Sequence, residues 1–406
     1  MLFYAQDVTL TLKCTINLCI YGNFMNKIDG GKVLSVEGVR GLACLMVVLS
    51  HLSIIFFPYL HTGDTKIIKS SFDAVTRDLP IGFTYSGTSA VYIFFVLSGY
   101  ILTSVIFRSD YISKKAAKML LERYVRLLIP VSASIIICAI VVNYFPFNKY
   151  WVPWIWSLGK DGDLSIIGVL KNSLYGAILK GDSSINMVTW TMQVEFYGSL
   201  LVFLISPVSI FIKKAPLILS LIAVLIIINF NDKNAYGYAS FLLGMAICLC
   251  GTYKNKVIGY AILIASLYLA GFKYNHYLYA WLKDFSLAIH GVENINLYLL
   301  FNLLSGVGVV YSLCKIGVMS WFTESKFMVF LGKLSFSAYL IQMPVFYCLS
   351  GPAYHASRKV MSDSNACLSA VLISVLILYA SSYIFYLLVD RKSIEVSHRF
   401  AAIFSR

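Results

Sequence analysis

Apolar residues run through this chain in long blocks, not in the narrow stripes of a soluble helix. Ten blocks stand out, at 38–60, 87–107, 126–146, 188–212, 215–230, 235–252, 257–273, 294–314, 327–349 and 367–389. Each is long enough, or nearly so, to cross about 30 Å of hydrocarbon as a helix, which satisfies its own backbone hydrogen bonds there. The pattern predicts an all-α integral membrane protein, a bundle of about ten transmembrane helices with both termini cytoplasmic. Residues 35–395 form its transmembrane domain, 1–34 an N-terminal cytoplasmic segment and 396–406 a cytoplasmic tail.

Composition agrees. Of 406 residues, 59% are hydrophobic and only 13% charged, more apolar surface than one water-soluble core can hide. The net charge of +14 would suit nucleic acid, but its distribution argues for a membrane. In this topology the inner segments, counting Arg40, hold 21 Lys+Arg and 8 Asp+Glu, and the outer loops hold 12 and 10. That is the positive-inside asymmetry of a bacterial inner-membrane protein. The run "RSDYISKKAAKMLLERYVR" at 108–126 is its strongest inner marker.

The first residues fit less well: "TINLCIYGNF" is apolar only briefly and lacks a small-residue cleavage site, so no signal peptide is expected, and Met25 is the expected natural start. The nine cysteines show neither metal-ligand spacing nor a disulfide framework. The longest outer segment, 147–187, carries Trp151, Trp154 and Trp156 and leads to Trp190. Two readings fit these rings: an interfacial aromatic belt, or a lid and platform on which sugar faces stack.

The first block holds the least expected residues. In "SVEGVRGLACLMVVLSHLSIIFFPYL" (35–60), Arg40 and His51 are eleven residues apart. On a helix that spacing is three turns plus about 20°, so the two share a face about 16 Å apart along the axis. Glu37 precedes Arg40 by three residues, within pairing reach. Ionisable groups at membrane depth are costly, and they mark function by default. A structural ion pair and a buried, hydrogen-bonded histidine are the alternative.

"RGLACLMVVLSH", with ten residues between Arg and His, resembles the signature of the acyltransferase 3 family of membrane O-acyltransferases. Four further segments match in family order: "SAVYIFFVLSGYILT" (89–103), "RYVRLLIP" (123–130), "WTMQVEFY" (190–197) and "LGKLSFSAYLIQMPV" (331–345). The resemblance implies transfer of an acyl group, commonly acetyl from acetyl-CoA as co-substrate and without a metal, to a hydroxyl of a cell-surface or exported glycan or glycolipid. O-antigens and exopolysaccharides are typical acceptors. It implies His51 as general base or transient acyl carrier, Arg40 and Glu195 as its companions in the catalytic centre, and Arg123 and Arg126 as ligands of the CoA phosphates, with Glu37 in support. Glu195 is expected either to orient His51, to bind a hydroxyl, or to pair with a buried cation. Trp151, Trp154, Trp156 and Trp190 are expected at the acceptor.

Three positions depart from the family pattern. Gln342 stands where a histidine is common, Glu37 where aspartate is usual, and the last block ends in "DRKS" without its proline. Ser98 in "FFVLSGYIL" and the small residues of "GKLSFSAYL" read as helix-packing positions. A secondary transporter or lipid-linked glycan carrier is the rival class, since ten spans with intramembrane charge suit it too. No duplicated half is visible in its favour, and the oligomeric state is unreadable.

Overall fold

The computed structural model describes residues 34–62, 71–145, 155, 158–251, 255–274, 276–287 and 295–404. Met25, Trp151, Trp154 and Trp156 lie outside the described residues. The described residues are helical, without a strand. Ten principal helices overlie the ten apolar blocks: α1 Leu34–Phe56, α2 Gly87–Phe107, α3 Ile112–Tyr144, α4 Trp190–Ser209, α5 Ala215–Phe230, α6 Lys233–Leu249, α7 Lys256–Ala270, α8 Leu297–Val310, α9 Lys326–Arg358 and α10 Asp363–Phe385.

Seven segments are long and apolar enough to cross a membrane: α1, α2, α3, α4 with its leading turn, α8 with its trailing turn, α9, and α10 with its continuation to Ile403. Helices α5, α6 and α7 have 16, 17 and 15 residues. At 1.5 Å per residue they reach only about 23–26 Å, short of a full hydrocarbon core. Among the described residues, seven of the ten expected crossings thus meet the length and composition of a span.

Helices α1 and α9 set the frame of the site. Cys44 donates its thiol to the Ser335 carbonyl at 3.4 Å, and His51 meets Gln342 at 2.9 Å, both at a sequence offset of 291. Equal offsets over two turns mean that the helices run parallel and in register. Glycine makes the approach possible: a Cβ on Gly332 would lie 1.9 Å from the Glu37 carbonyl oxygen, and one on Gly41 would lie 2.6 Å from that of Met328. Helices α2 and α8 repeat the device at an offset of 216, through Ser86–Asn302 at 2.9 Å and Ser89–Ser305 at 2.8 Å.

Two local expectations change. The basic run read as an inner loop folds into the first turns of α3, because Lys, Ala, Met, Leu and Glu are strong helix formers. Arg123 and Arg126 consequently project from mid-helix. Of the segment expected to lie on the outer mouth, the described stretch from 166 packs against α3. Ser165 caps a short helix, Ile166–Lys171, through a bond from the Gly168 amide, and this helix passes into a π-helical stretch, Asn172–Lys180. The Ser132 hydroxyl donates to the Ser173 carbonyl at 2.8 Å, and the Tyr124 hydroxyl to that of Leu174 at 2.5 Å. Ser132 lies twelve residues before the end of α3, about 18 Å along the axis. The stretch 166–180 is sunk alongside α3, and unmet polar side chains of that helix hold its carbonyls.

Candidate active site

Arg40, Arg123 and Arg126 line one cavity of about 210 Å³, in the half of the bundle nearer the start of α1. Ser98, Glu195, Ser335 and Tyr339 share its walls with aromatic Phe94, Phe95 and Phe336. Each guanidinium has its own carboxylate. Arg40 pairs with Glu37 at 3.4 Å on the same helix. Arg123 pairs with Glu195 across α3 and α4 and donates from Nε to the Ser199 hydroxyl at 2.9 Å. Arg126 pairs with Asp390 at 2.6 Å and bonds to the Ser393 hydroxyl, with its guanidinium over the Phe336 ring at 5.7 Å. A guanidinium has five N–H donors, so these bonds fix each one without exhausting it. Planar, oriented guanidinium groups around an aromatic-walled space suit a phosphate-bearing ligand with an apolar arm.

Glu195 also accepts the Ser98 hydroxyl, at 2.9 Å and 3.2 Å from its two oxygens. Ser98 is therefore a polar wall of the cavity with a carboxylate beside it, which spacing along α2 alone did not reveal. The Tyr339 hydroxyl meets that of Thr191 at 2.9 Å and donates to the Val188 carbonyl at 3.1 Å, tying α9 to the start of α4.

His51 sits apart from this cavity, about three turns further along α1. The Gln342 amide nitrogen donates to the Tyr339 carbonyl at 2.9 Å, so its oxygen is the group turned toward His51 Nδ1 at 2.9 Å. An amide oxygen only accepts, so Nδ1 carries the ring proton and the lone pair of the neutral imidazole is on Nε2. Gln342 is fully buried and holds this orientation by packing.

A model of the acyltransferase domain matches residues 33–387. The chain belongs to the acyltransferase 3 family. No curated protein and no solved structure matches it. Within this acyltransferase the expected residues divide into two groups. Arg40, Arg123, Arg126 and Glu195 come together around the cavity, with Glu37 behind Arg40. His51 stands apart, with Gln342 as its partner. Glu195 does not orient His51: its carboxylate is held by Arg123 and Ser98, on the alternative reading of a buried carboxylate paired with a cation. Trp190 starts α4, and its ring face carries the Lys233 ammonium at 4.4 Å.

Three contributors receive a role only from the structure. Asp390, 3% exposed, lies on a π-helical turn after α10 and neutralises Arg126; the sequence presents it only as the edge of a basic tail. Gln342 appears in the sequence as a missing histidine, whereas it supplies the acceptor that sets the His51 tautomer. The third is a second histidine past the end of α1. Ser53 donates its hydroxyl to the Ser50 carbonyl at 2.8 Å, so His61 Nε2 donates to the Ser53 oxygen at 2.7 Å. Lys273 caps this corner by donating to the Leu60 carbonyl and to the Tyr85 hydroxyl, the latter at 3.1 Å, with the Tyr85 ring 4.7 Å from its ammonium.

Burial, with the Lys273 and His51 charges adding to it, pushes His61 down to about 4. Between about pH 6.5 and 4 the unfolded chain thus binds the proton that the folded corner refuses. Stability from this group is complete above 6.5 and is lost as the pH falls through that window. A thermal-unfolding series from pH 7 to 4.5 is expected to show the loss, and His61→Gln, which keeps a donor for Ser53, is expected to flatten it.

Proposed function

We propose that the chain moves an acyl group, most simply acetyl, from acyl-CoA to a hydroxyl of a cell-surface or exported glycan. Membership of the family supports acyl transfer. The observation that carries the rest is the division of the site along one helix face, with guanidinium groups around a cavity at one end and an oriented imidazole about 16 Å away toward the other. CoA has the same polarity: phosphates at one end, a long thin pantetheine arm, and the thioester at its tip. Arg40, Arg123 and Arg126 hold the phosphates, and the arm carries the acyl carbon toward His51.

There the acceptor oxygen attacks the thioester carbonyl. The new C–O bond forms as the C–S bond breaks. The hydroxyl proton goes to His51 Nε2 and from there to the departing sulfur. Gln342 keeps Nδ1 protonated throughout, so Nε2 is the nitrogen that takes and returns the proton.

The topology that serves this chemistry is ten crossings with both termini in the cytoplasm of a bacterial inner membrane, with the more basic face inward. Helices α5–α7 then cross a locally thinned bilayer. Donor and acceptor are thereby taken from opposite sides. The deciding experiment is proton NMR of surface and secreted glycans from a deletion strain carrying the intact chain or His51→Ala at equal membrane abundance. Restoration of an O-acyl signal by the intact chain alone is expected. A glycan exported unchanged, without any ester, would move the chain to the transporter class.

A further inference from the structure

The sunk segment 166–180 encloses a second cavity, of about 230 Å³, lined by Asp163, Lys171, Asn172, Tyr175, Lys180 and Asp182 among others. Carboxylates, ammonium groups, an amide and a phenol alternate around it, with the Lys180 ammonium 5.2 Å from the Tyr175 ring. Asn172 is 5% exposed. Its amide nitrogen and oxygen are shut off from water without a hydrogen bond of good geometry, although the Asp182 carboxylate is close by. A buried amide left this way is destabilising, and a turn of its side chain toward the cleft would give it an entering hydroxyl as partner.

The same segment turns an apolar face outward. Ile166, Ile167, Leu170 and Leu174 are 81%, 65%, 47% and 50% exposed, and the segment lies at the depth of Ser132 in α3. An exposed apolar face beside a polar cleft suits an amphiphile. One chain segment joins the cleft to the helix that carries Gln342. Ser184 and Ile185 line it, and the next residue, Asn186, donates to the Leu340 carbonyl at 3.0 Å, two residues before Gln342.

We infer that this cleft is a lateral, membrane-facing site for an amphiphile with a hydroxyl-rich headgroup: the sugar of a membrane-anchored glycolipid sits among Asn172, Asp182 and Lys180, and its tail lies along Ile166, Ile167, Leu170 and Leu174. Mixed donors and acceptors with a near-zero sum of charge match sugar hydroxyls better than a phosphate alone. The inference rests on the acyl-transfer reading for its purpose, since it makes the acceptor a glycolipid, but not for its test.

The test uses the full chain in phospholipid nanodiscs and two photoreactive probes with the same diazirine-bearing dodecyl tail, one with a maltoside headgroup and one with phosphocholine. The maltoside probe is expected to label peptides from 166–180 at least about threefold more than the phosphocholine probe. Asn172→Ala and the rim variant Lys180→Gln are each expected to remove that excess while phosphocholine labelling stays constant, which also shows that the segment remains folded. Equal labelling by both probes, or an excess that survives both variants, overturns the site. A confirmed excess in a chain that forms no ester on any acceptor would sink the acyl-transfer reading and leave the site standing.

Discussion

His51→Ala is expected to lower acyl transfer by about 10²–10⁴-fold, the usual worth of a positioned general base, at unchanged folding. The expectation rests on tautomer, not on the presence of a histidine alone. Gln342 cannot turn its nitrogen to His51 without breaking the bond to the Tyr339 carbonyl, so the ring presents Nε2 as acceptor whenever it is neutral. Gln342→Leu, which keeps the volume and removes the amide, tests this directly. Losing one buried hydrogen bond of about 1 kcal/mol and the tautomer preference with it is expected to reduce kcat about tenfold, with little change in KM for acyl-CoA. Single-turnover measurements at saturating donor separate the two. A Gln342→Leu enzyme with wild-type kcat would show that the ring orients itself by other means, and His51→Ala with full activity would remove the base from the mechanism.

The pairing of these two residues marks the limit of what the chain reveals as a string. The sequences "GLACLMVVLSH" and "GKLSFSAYLIQ" each carry glycine, then a small residue three positions on, then a polar side chain ten positions on. In the fold these are Gly41 with Gly332, Cys44 with Ser335, and His51 with Gln342. The correspondence becomes meaningful only once α1 and α9 are known to run parallel, and no local signal says that two segments 291 residues apart are neighbours. The apolar blocks were legible because the hydrocarbon core imposes one requirement on every span. Arg40 and Glu195 were legible because charge in such blocks is rare, and Arg123 and Arg126 because "RYVRLLIP" matches the family pattern. Their mutual arrangement was not: whether Glu195 serves His51 or Arg123 depends on how α3 and α4 pack, and both choices satisfy the same sequence. Asp390 was legible only as part of "DRKS", without a role, because a carboxylate beside Arg391 and Lys392 looks like part of a solvated tail. The sunk segment 166–180 escaped because Lys171, Asn172 and Lys180 interrupt its apolar run, while its outward face is Ile and Leu.

The Arg123–Glu195 pair carries the second large expectation. Both side chains are mostly buried, 15% and 17% exposed, and the pair joins α3 to α4 beside the cavity. Glu195→Ala would leave the Arg123 guanidinium without its counter-charge in a low-dielectric wall, which costs about 3–5 kcal/mol when one partner of a buried pair is removed. The Ser98 hydroxyl would lose its acceptor at the same time. Arg123→Ala is expected to be comparably damaging, by leaving Glu195 with only Ser98. The double variant Arg123→Ala with Glu195→Ala is expected to be less unstable than the two single losses together, because no unpaired charge is left behind. Thermal unfolding of the three variants in detergent gives that comparison. Transfer activity gives a second, because the double variant restores electroneutrality but not the cavity's guanidinium: its stability should recover partly while its KM for acyl-CoA stays raised. If stability and donor KM recovered together, Arg123 would be an architectural residue and the donor would be held by Arg40 and Arg126 alone. Strict additivity of the two single losses would instead mean that Arg123 and Glu195 are stabilised separately, by Ser199 and Ser98, and that their contact contributes little.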